Sequence, residues 1–317
     1  MAAFPMGAST REAYGKALVE LGRENPNIIV LDADLSSSTQ TIAFGKEFPD
    51  RFINVGLAEQ NLMGIAAGLA ASGKTVFAST FAVFATSRCY DQVRVSIAQT
   101  HLNVKIVASH AGISVGEDGA SHQAIEDLAL MSALPGFTVV VPADEVETPQ
   151  AIRAAANTEG PFYVRCGRPK APVVYPPDYH FTLGQAVLMR AGADVTLVAN
   201  GLMLAPALEA AAALERDGID ARVLSVPTVK PLDQEALVKA AVETGALVVA
   251  EEHLLHGGLG SRVAQVLAER RPVPISFVAL RDTFGESGKP DELLAKYGLT
   301  AEEIRKAALA TVRRKTT

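Results

Sequence analysis

The sequence predicts an α/β protein of two doubly wound domains, each with a mostly parallel sheet covered by helices on both faces. Val- and Ile-rich runs of strand length alternate with helix-period segments, the alternation stops after Arg165 in a proline-punctuated stretch, and it resumes from about Thr182. These changes place a first domain at 1–170, a linker at 171–185 and a second domain at 186–317. Such sheets bind ligands beyond the carboxyl ends of their strands, so the side chains just after the apolar runs are the ones to search.

NIIVLDA (27–33), FINVG (52–56), KTVFAST (74–80), NVKIVAS (103–109), FTVVVPA (137–143) and PFYVR (161–165) are short apolar runs suited to strands buried on both faces. After the second run, Leu62, Ile65, Ala66 and Leu69 recur at helical spacing while Gly64, Ala67, Gly68 and Ala71 admit a close backbone, which predicts a helix buried on several sides. CGRPKAPVVYPPDYHF (166–181) has no helical period and reads as an extended interdomain linker. Beyond it DVTLVAN, a helix at 203–216, DARVLSV, a helix at 233–243, ALVVAEE, a helix at 261–268 and ISFVAL follow in turn. Asp233 and Gly218 punctuate these helices as N-cap and C-cap. Residues 257–261, GGLGS, fit neither a dinucleotide nor a P-loop pattern and are assigned to a tight strand-to-helix turn. The basic tail Arg313-Arg314-Lys315 is expected to be solvated or frayed.

With 317 residues, 49% hydrophobic and 20% charged, the chain can bury a large core. Its net charge of −6, from 29 basic and 35 acidic residues well mixed, argues against nucleic acid or an anionic membrane as main partner. Cys89 and Cys166 are the only cysteines, which suits a reducing compartment and excludes a zinc cluster built on thiolates. No His, Cys and Asp spacing demands a metal. The start, MAAFPMGAST, lacks a signal-peptide pattern. No apolar run approaches the roughly 18–20 residues of a membrane span. The expected location is cytoplasmic.

The segment SHAGISVGEDGASHQAIE (109–126) carries the strongest functional signal. Gly112, Gly116 and Gly119 hold it as a loop that exposes backbone and side chains to a ligand. His110 and His122 can donate hydrogen bonds or move protons there, and Asp118 can accept from a hydroxyl. The remaining histidines read as satisfied core or surface groups. Glu59, in the first turn of its helix, is either a favourable partner of the helix dipole worth about 0.3–1 kcal/mol or a buried carboxylate acting on a ligand. Phe81 and Phe84, spaced by three just past a strand, are either core or flat faces for a ring, where stacking adds about 0.5–1.5 kcal/mol. Arg168 is a surface charge or a fork for a phosphate. Arg11 and Ser38 are too generic to assign from the residues alone.

FINVGLAEQNLMGIAAG, STFAVFATSRCYDQV, SVGEDG and the H-Q-x-I-E pattern resemble the pyrimidine-binding half of a transketolase, at motif level over 9–172 and more loosely beyond. The resemblance implies a thiamine-diphosphate-enzyme pyrimidine domain followed by a transketolase C-terminal domain. It implies that Glu59 activates the thiamine diphosphate, that Phe81 and Phe84 stack on its aminopyrimidine, and that Asp34 lies near the thiazolium. His110 and His122 would be catalytic and, with Asp118, would contact the sugar's reacting carbonyl and hydroxyls. Arg11, Ser38 and Arg168 would grip its phosphate. The implied reaction passes a two-carbon ketol unit from a ketose phosphate to an aldose phosphate, as in the pentose phosphate pathway. The family's G-D-G…N motif, which holds Mg2+ and the diphosphate, has no counterpart here. The likeness is therefore to the C-terminal subunit of a split transketolase. Such a subunit would work only with a separate N-terminal subunit in a two-fold heterotetramer, and its C-terminal domain would serve assembly rather than chemistry. Ser87 stands where many relatives carry an aromatic, which implies looser packing on the pyrimidine. Deoxyxylulose-phosphate synthase and the beta subunit of 2-oxoacid dehydrogenases share the fold, and Y-D-Q-V is similar to the synthase. Phe84 where the synthase has arginine, and His110 where it has an aspartate-arginine pair, favour transketolase. A binding or regulatory subunit without turnover is the reading from another class. Glu59, the two loop histidines and Arg168 together argue against it.

Overall fold

The computed structural model describes residues 4–316. The apolar runs of the first half form β1 (Ile28–Asp32), β2 (Phe52–Asn54), β3 (Thr75–Ser79), β4 (Val104–Ala108), β5 (Thr138–Val140) and β6 (Phe162–Arg165). The second half supplies β7 (Val187–Arg190), β8 (Val195–Ala199), β9 (Ala221–Ser225), β10 (Thr228–Lys230), β11 (Leu247–Leu254) and β12 (Ile275–Leu280). A seven-stranded sheet runs in the order β10-β5-β6-β4-β3-β1-β2, parallel throughout except at the β10 edge. A five-stranded sheet runs β12-β11-β8-β9-β7, with only β7 antiparallel.

Successive side chains of a strand point to opposite faces, and the two packed layers follow that alternation. Val30, Phe77, Val107, Phe162 and Val164 face the helices Thr10–Glu24 and Glu147–Asn157 through Tyr14, Leu18, Leu21 and Ile152. Their neighbours Leu31, Val76, Ala78, Ile106 and Tyr163 face the other way, against Leu62, Met63, Leu128 and Met131. Burying one such large apolar side chain contributes about 1.5–3 kcal/mol, so both sheet faces need their helices.

The structure corrects the expected surroundings of one helix and the expected fraying of the tail, and adds contacts at the linker and between the two halves. The helix Glu59–Ala71 is exposed on its outer face, which no other described part of the chain covers; a Cβ at Gly64 or Gly68 would meet open space. The stretch at 166–181 holds no helix, as expected, and it is latched at several points. Asp144 Oδ2 accepts from the backbone nitrogens of Val174 and Tyr175 at 2.8 and 3.0 Å, and the Tyr175 hydroxyl reaches Ser225 Oγ at 2.8 Å. The division between halves is crossed by β10, which leaves the second half to pair with β5. Finally, the basic tail is exposed, as expected, but tied down: Lys315 Nζ donates to the backbone oxygens of Asp194 and Thr244 at 2.8 and 2.7 Å, and Arg314 Nη1 to that of Ile275 at 2.9 Å. Capping behaves as expected, with Asp233 accepting from Ala236 N and Gly218 at a positive φ just past its helix. Among the described residues no helix is long and apolar enough to cross a membrane.

Candidate active site

Glu59 opens its helix next to the carboxyl end of β2 and is 2% exposed. A carboxylate at that depth needs a partner, since an unpaired buried charge is costly. Arg88 provides one, with Nη1 2.8 Å from Glu59 Oε1. Arg88 ends a π-helical turn, Phe84–Arg88, that follows β3, and its guanidinium carbon lies 4.5 Å over the Phe84 ring. The turn is fixed at its start by a bridge between Phe81 and Ser109, with Ala82 N donating to Ser109 O at 2.7 Å. Ser87 is exposed on this turn, and the arginine beside it covers the aromatic face.

Phe81 and Phe84 lie nearly parallel, 5.8 Å between centroids at 14°. Phe81 is buried, Phe84 is half-buried, and both face the histidine loop. The His110 ring stacks on Phe81 at 3.8 Å, and His122 stands edge-on to Phe84 at 5.4 Å. His110 follows β4 with φ 59°, a left-handed conformation that turns its ring back over Phe81. Its Nδ1 shares a hydrogen bond with Ser109 Oγ at 2.9 Å. Burial, followed by the nearby Arg11, Arg168 and His122 charges, pushes its pKa down to about 3, so the ring is neutral at physiological pH.

The phosphate-binding candidates surround the same loop. Arg11 lies in the first turn of a helix started by the Ser9–Glu12 capping box, and its Nη1 donates to Ser38 O at 2.9 Å. Desolvation lowers its pKa, and the Arg168 charge acts in the same direction. Arg168, three residues past β6, donates to Val115 O and to Glu117 Oε2 at 2.7 Å, with Asp118 Oδ2 at 4.0 Å. Glu117 and Asp118 are exposed at the loop's tip. The loop turns at Gly119 with φ 73°, where a Cβ would come within 2.5 Å of Ser287 Oγ from the second half of the chain. Asp34, at φ 62° just past β1, is exposed and exchanges hydrogen bonds with Asn54, both 3.1 Å.

Glu59, Phe81, Phe84, His110 and His122 thus form one chain of contacts through Arg88. Arg11, Ser38, Asp118 and Arg168 adjoin it, and Asp34 stands at the end of the neighbouring strand β1. Apart from Arg11, which lies in the helix before β1, all follow the carboxyl ends of strands of the seven-stranded sheet. Sequence reasoning missed Arg88, although its spacing of four from Phe84 was a usable signal for a side chain over the ring. It also missed Glu117, the partner of Arg168. His253 is the satisfied core group expected, buried and bonded at Nδ1 to Leu254 O at 2.7 Å.

The chain is similar over nearly its whole length to known proteins. The family model described as "Transketolase, pyrimidine binding domain" matches residues 6–173, and "Transketolase, C-terminal domain" matches residues 184–304. The chain is 45% identical over 307 residues to a "Putative transketolase C-terminal section" of Methanocaldococcus jannaschii, covering 96% of both chains. It is 44% identical over 305 residues to the "6-deoxy-6-sulfo-D-fructose transketolase subunit SqwH" of Clostridium sp., covering 96% of this chain and 95% of that one. The solved structure titled "Split gene transketolase, inactive beta4 tetramer" superposes with a TM-score of 0.92 at 56% identity, covering 98% of this chain and 100% of that one.

Proposed function

Because this chain belongs to the transketolase family as a section holding the pyrimidine-binding and C-terminal domains, we propose that it is one half of a thiamine-diphosphate-dependent ketol transferase, active only with a separate subunit. The observation that carries this reading is the buried Glu59 carboxylate held by one guanidinium that also covers the Phe84 ring. A carboxylate and two near-parallel aromatic faces fit an aminopyrimidine, which offers a ring to stack and a nitrogen to share a proton. When bound, thiamine diphosphate supplies the electron sink that lets a two-carbon unit leave one sugar and join another.

Glu59 would hold the proton shared with the pyrimidine nitrogen, and Phe81 and Phe84 would orient the ring and keep water from it. Asp34 would face the thiazolium side. His110, kept neutral, would exchange hydrogen bonds with the sugar's reacting carbonyl and hydroxyl, with His122 and Asp118 beside it. Arg11 and Arg168, with Ser38, would hold the donor's anionic end. The name of the Clostridium relative specifies a sulfo-sugar, another substrate with an anionic terminus, which supports a cationic end to the site. The partner would carry the diphosphate and Mg2+, with two copies of each subunit in the assembly. Cys89 and Cys166, both free and buried, suit a cytoplasmic protein of the pentose phosphate pathway.

A coupled assay of the chain with its N-terminal subunit tests the reaction class. Transfer between a ketose phosphate and an aldose phosphate is the expected result. Decarboxylation of a 2-oxoacid without ketol transfer, or no turnover on either, would overturn it.

A further inference from the structure

Arg165, the last residue of β6, is buried at a crossing of the two domains. Its Nε donates to Asp127 Oδ2 at 2.8 Å, and Tyr163 Oη donates to the same oxygen at 2.7 Å. Its Nη2 donates to Ala124 O at 3.2 Å and to Glu252 O at 2.9 Å, and its Nη1 lies 3.8 Å from Glu252 Oε2. Glu252 comes from β11 of the second domain, and its Oε1 accepts from Ser114 N at 2.7 Å. A Cβ on Gly112, at φ 78°, would collide with that carboxylate.

The cluster therefore holds the histidine loop at both ends: Glu252 bonds it at Ser114 and lies close against Gly112, and Arg165 grips it at Ala124. Gln123 adds a third hold from the second domain, with Nε2 2.9 Å from Glu286 O. Between these anchors lie Glu117, Asp118 and His122. Packing alone does not call for this arrangement, because burying charges is costly and apolar groups of similar shape stabilise at least as well. What ionised groups add is direction, since each bond fixes one backbone atom of the loop.

We propose that Glu252, acting with Arg165, is a positioning residue of the active-site loop, so that the second domain sets the geometry of sugar binding as well as serving assembly. The link to sugar rests on the function proposed above, whereas the clamp itself is open to test on the chain alone. Amide hydrogen exchange of the full chain is the primary measurement. In Glu252→Ala, residues 112–124 should exchange roughly tenfold faster or more, with the helix Leu204–Arg216 unchanged. Glu252→Gln, which keeps an oxygen for Ser114 N, should restore most of the protection. In the reconstituted enzyme Glu252→Ala should raise KM for the sugar donor by roughly tenfold while leaving cofactor affinity unchanged. Unchanged exchange in the loop, or an equal rise throughout the second domain, would overturn the clamp. Localised loosening with every KM unchanged would support the clamp and overturn the sugar-binding reading of the loop.

Discussion

The Arg88 guanidinium bonds the Glu59 carboxylate at 2.8 Å while its carbon sits 4.5 Å over the Phe84 ring. One mostly solvent-facing side chain thus occupies both groups that an aminopyrimidine would use, and it keeps a deeply buried carboxylate paired meanwhile. Arg88→Met should lower the stability of the isolated chain by about 1 kcal/mol, the order of cost for leaving a buried acceptor without its partner. Thermal melts of a double-mutant cycle check it: in a Glu59→Gln background the same substitution should have little effect. An equal loss in both backgrounds would show that the pair is incidental.

Glu59→Gln keeps the shape of the side chain and removes its ability to share a proton. In the reconstituted enzyme the cofactor should still bind, whereas exchange of its C2 proton, followed by NMR, should slow by roughly a hundredfold or more. Exchange at a near-normal rate would contradict the role given to Glu59.

Arg168→Ala should raise KM for phosphorylated donors by roughly tenfold or more, because one or two charge-assisted bonds are lost. Donors without a phosphate should be little affected. Because Arg168 also bonds Val115 O and Glu117, an equal loss on both donor types would assign it to the loop's structure instead of the substrate.

Burial and neighbouring cations hold the His110 pKa at about 3, against 6.5 for a free imidazole. Between these values the unfolded chain binds the extra proton and the folded chain does not, so stability from this residue is present above pH 6.5 and is lost as pH falls toward 3. Denaturant titrations at pH 7 and pH 5 should show His110→Gln losing about 1–2 kcal/mol less on acidification than the parent. Parallel losses in the two proteins would contradict a His110 buried in its neutral form.

The strands were legible because runs such as IIVL (28–31) are apolar at every position, as a sheet covered on both faces requires. The loop was legible because three glycines between two histidines have no role in a strand or helix. β10 was not: three residues at a sheet edge, paired to a strand far away in sequence, leave no periodic signal. Nor was the hold of Glu252 on the loop, since Ser114 is 138 residues away and only the fold brings them together. The outer face of the helix Glu59–Ala71 was misread because small residues signal close approach without saying whether the neighbour belongs to the same chain.

The central claim is that this chain carries the pyrimidine half of a site completed by another subunit. Calorimetric titration of thiamine diphosphate with Mg2+ into the chain alone, and into the chain mixed with its N-terminal subunit, tests it most directly. Losing the metal-bridged diphosphate contacts should cost several kcal/mol, and about 1.4 kcal/mol is already tenfold, so binding to the chain alone should be weaker by roughly a hundredfold or more. Equal, magnesium-dependent affinity with and without the partner would contradict the account.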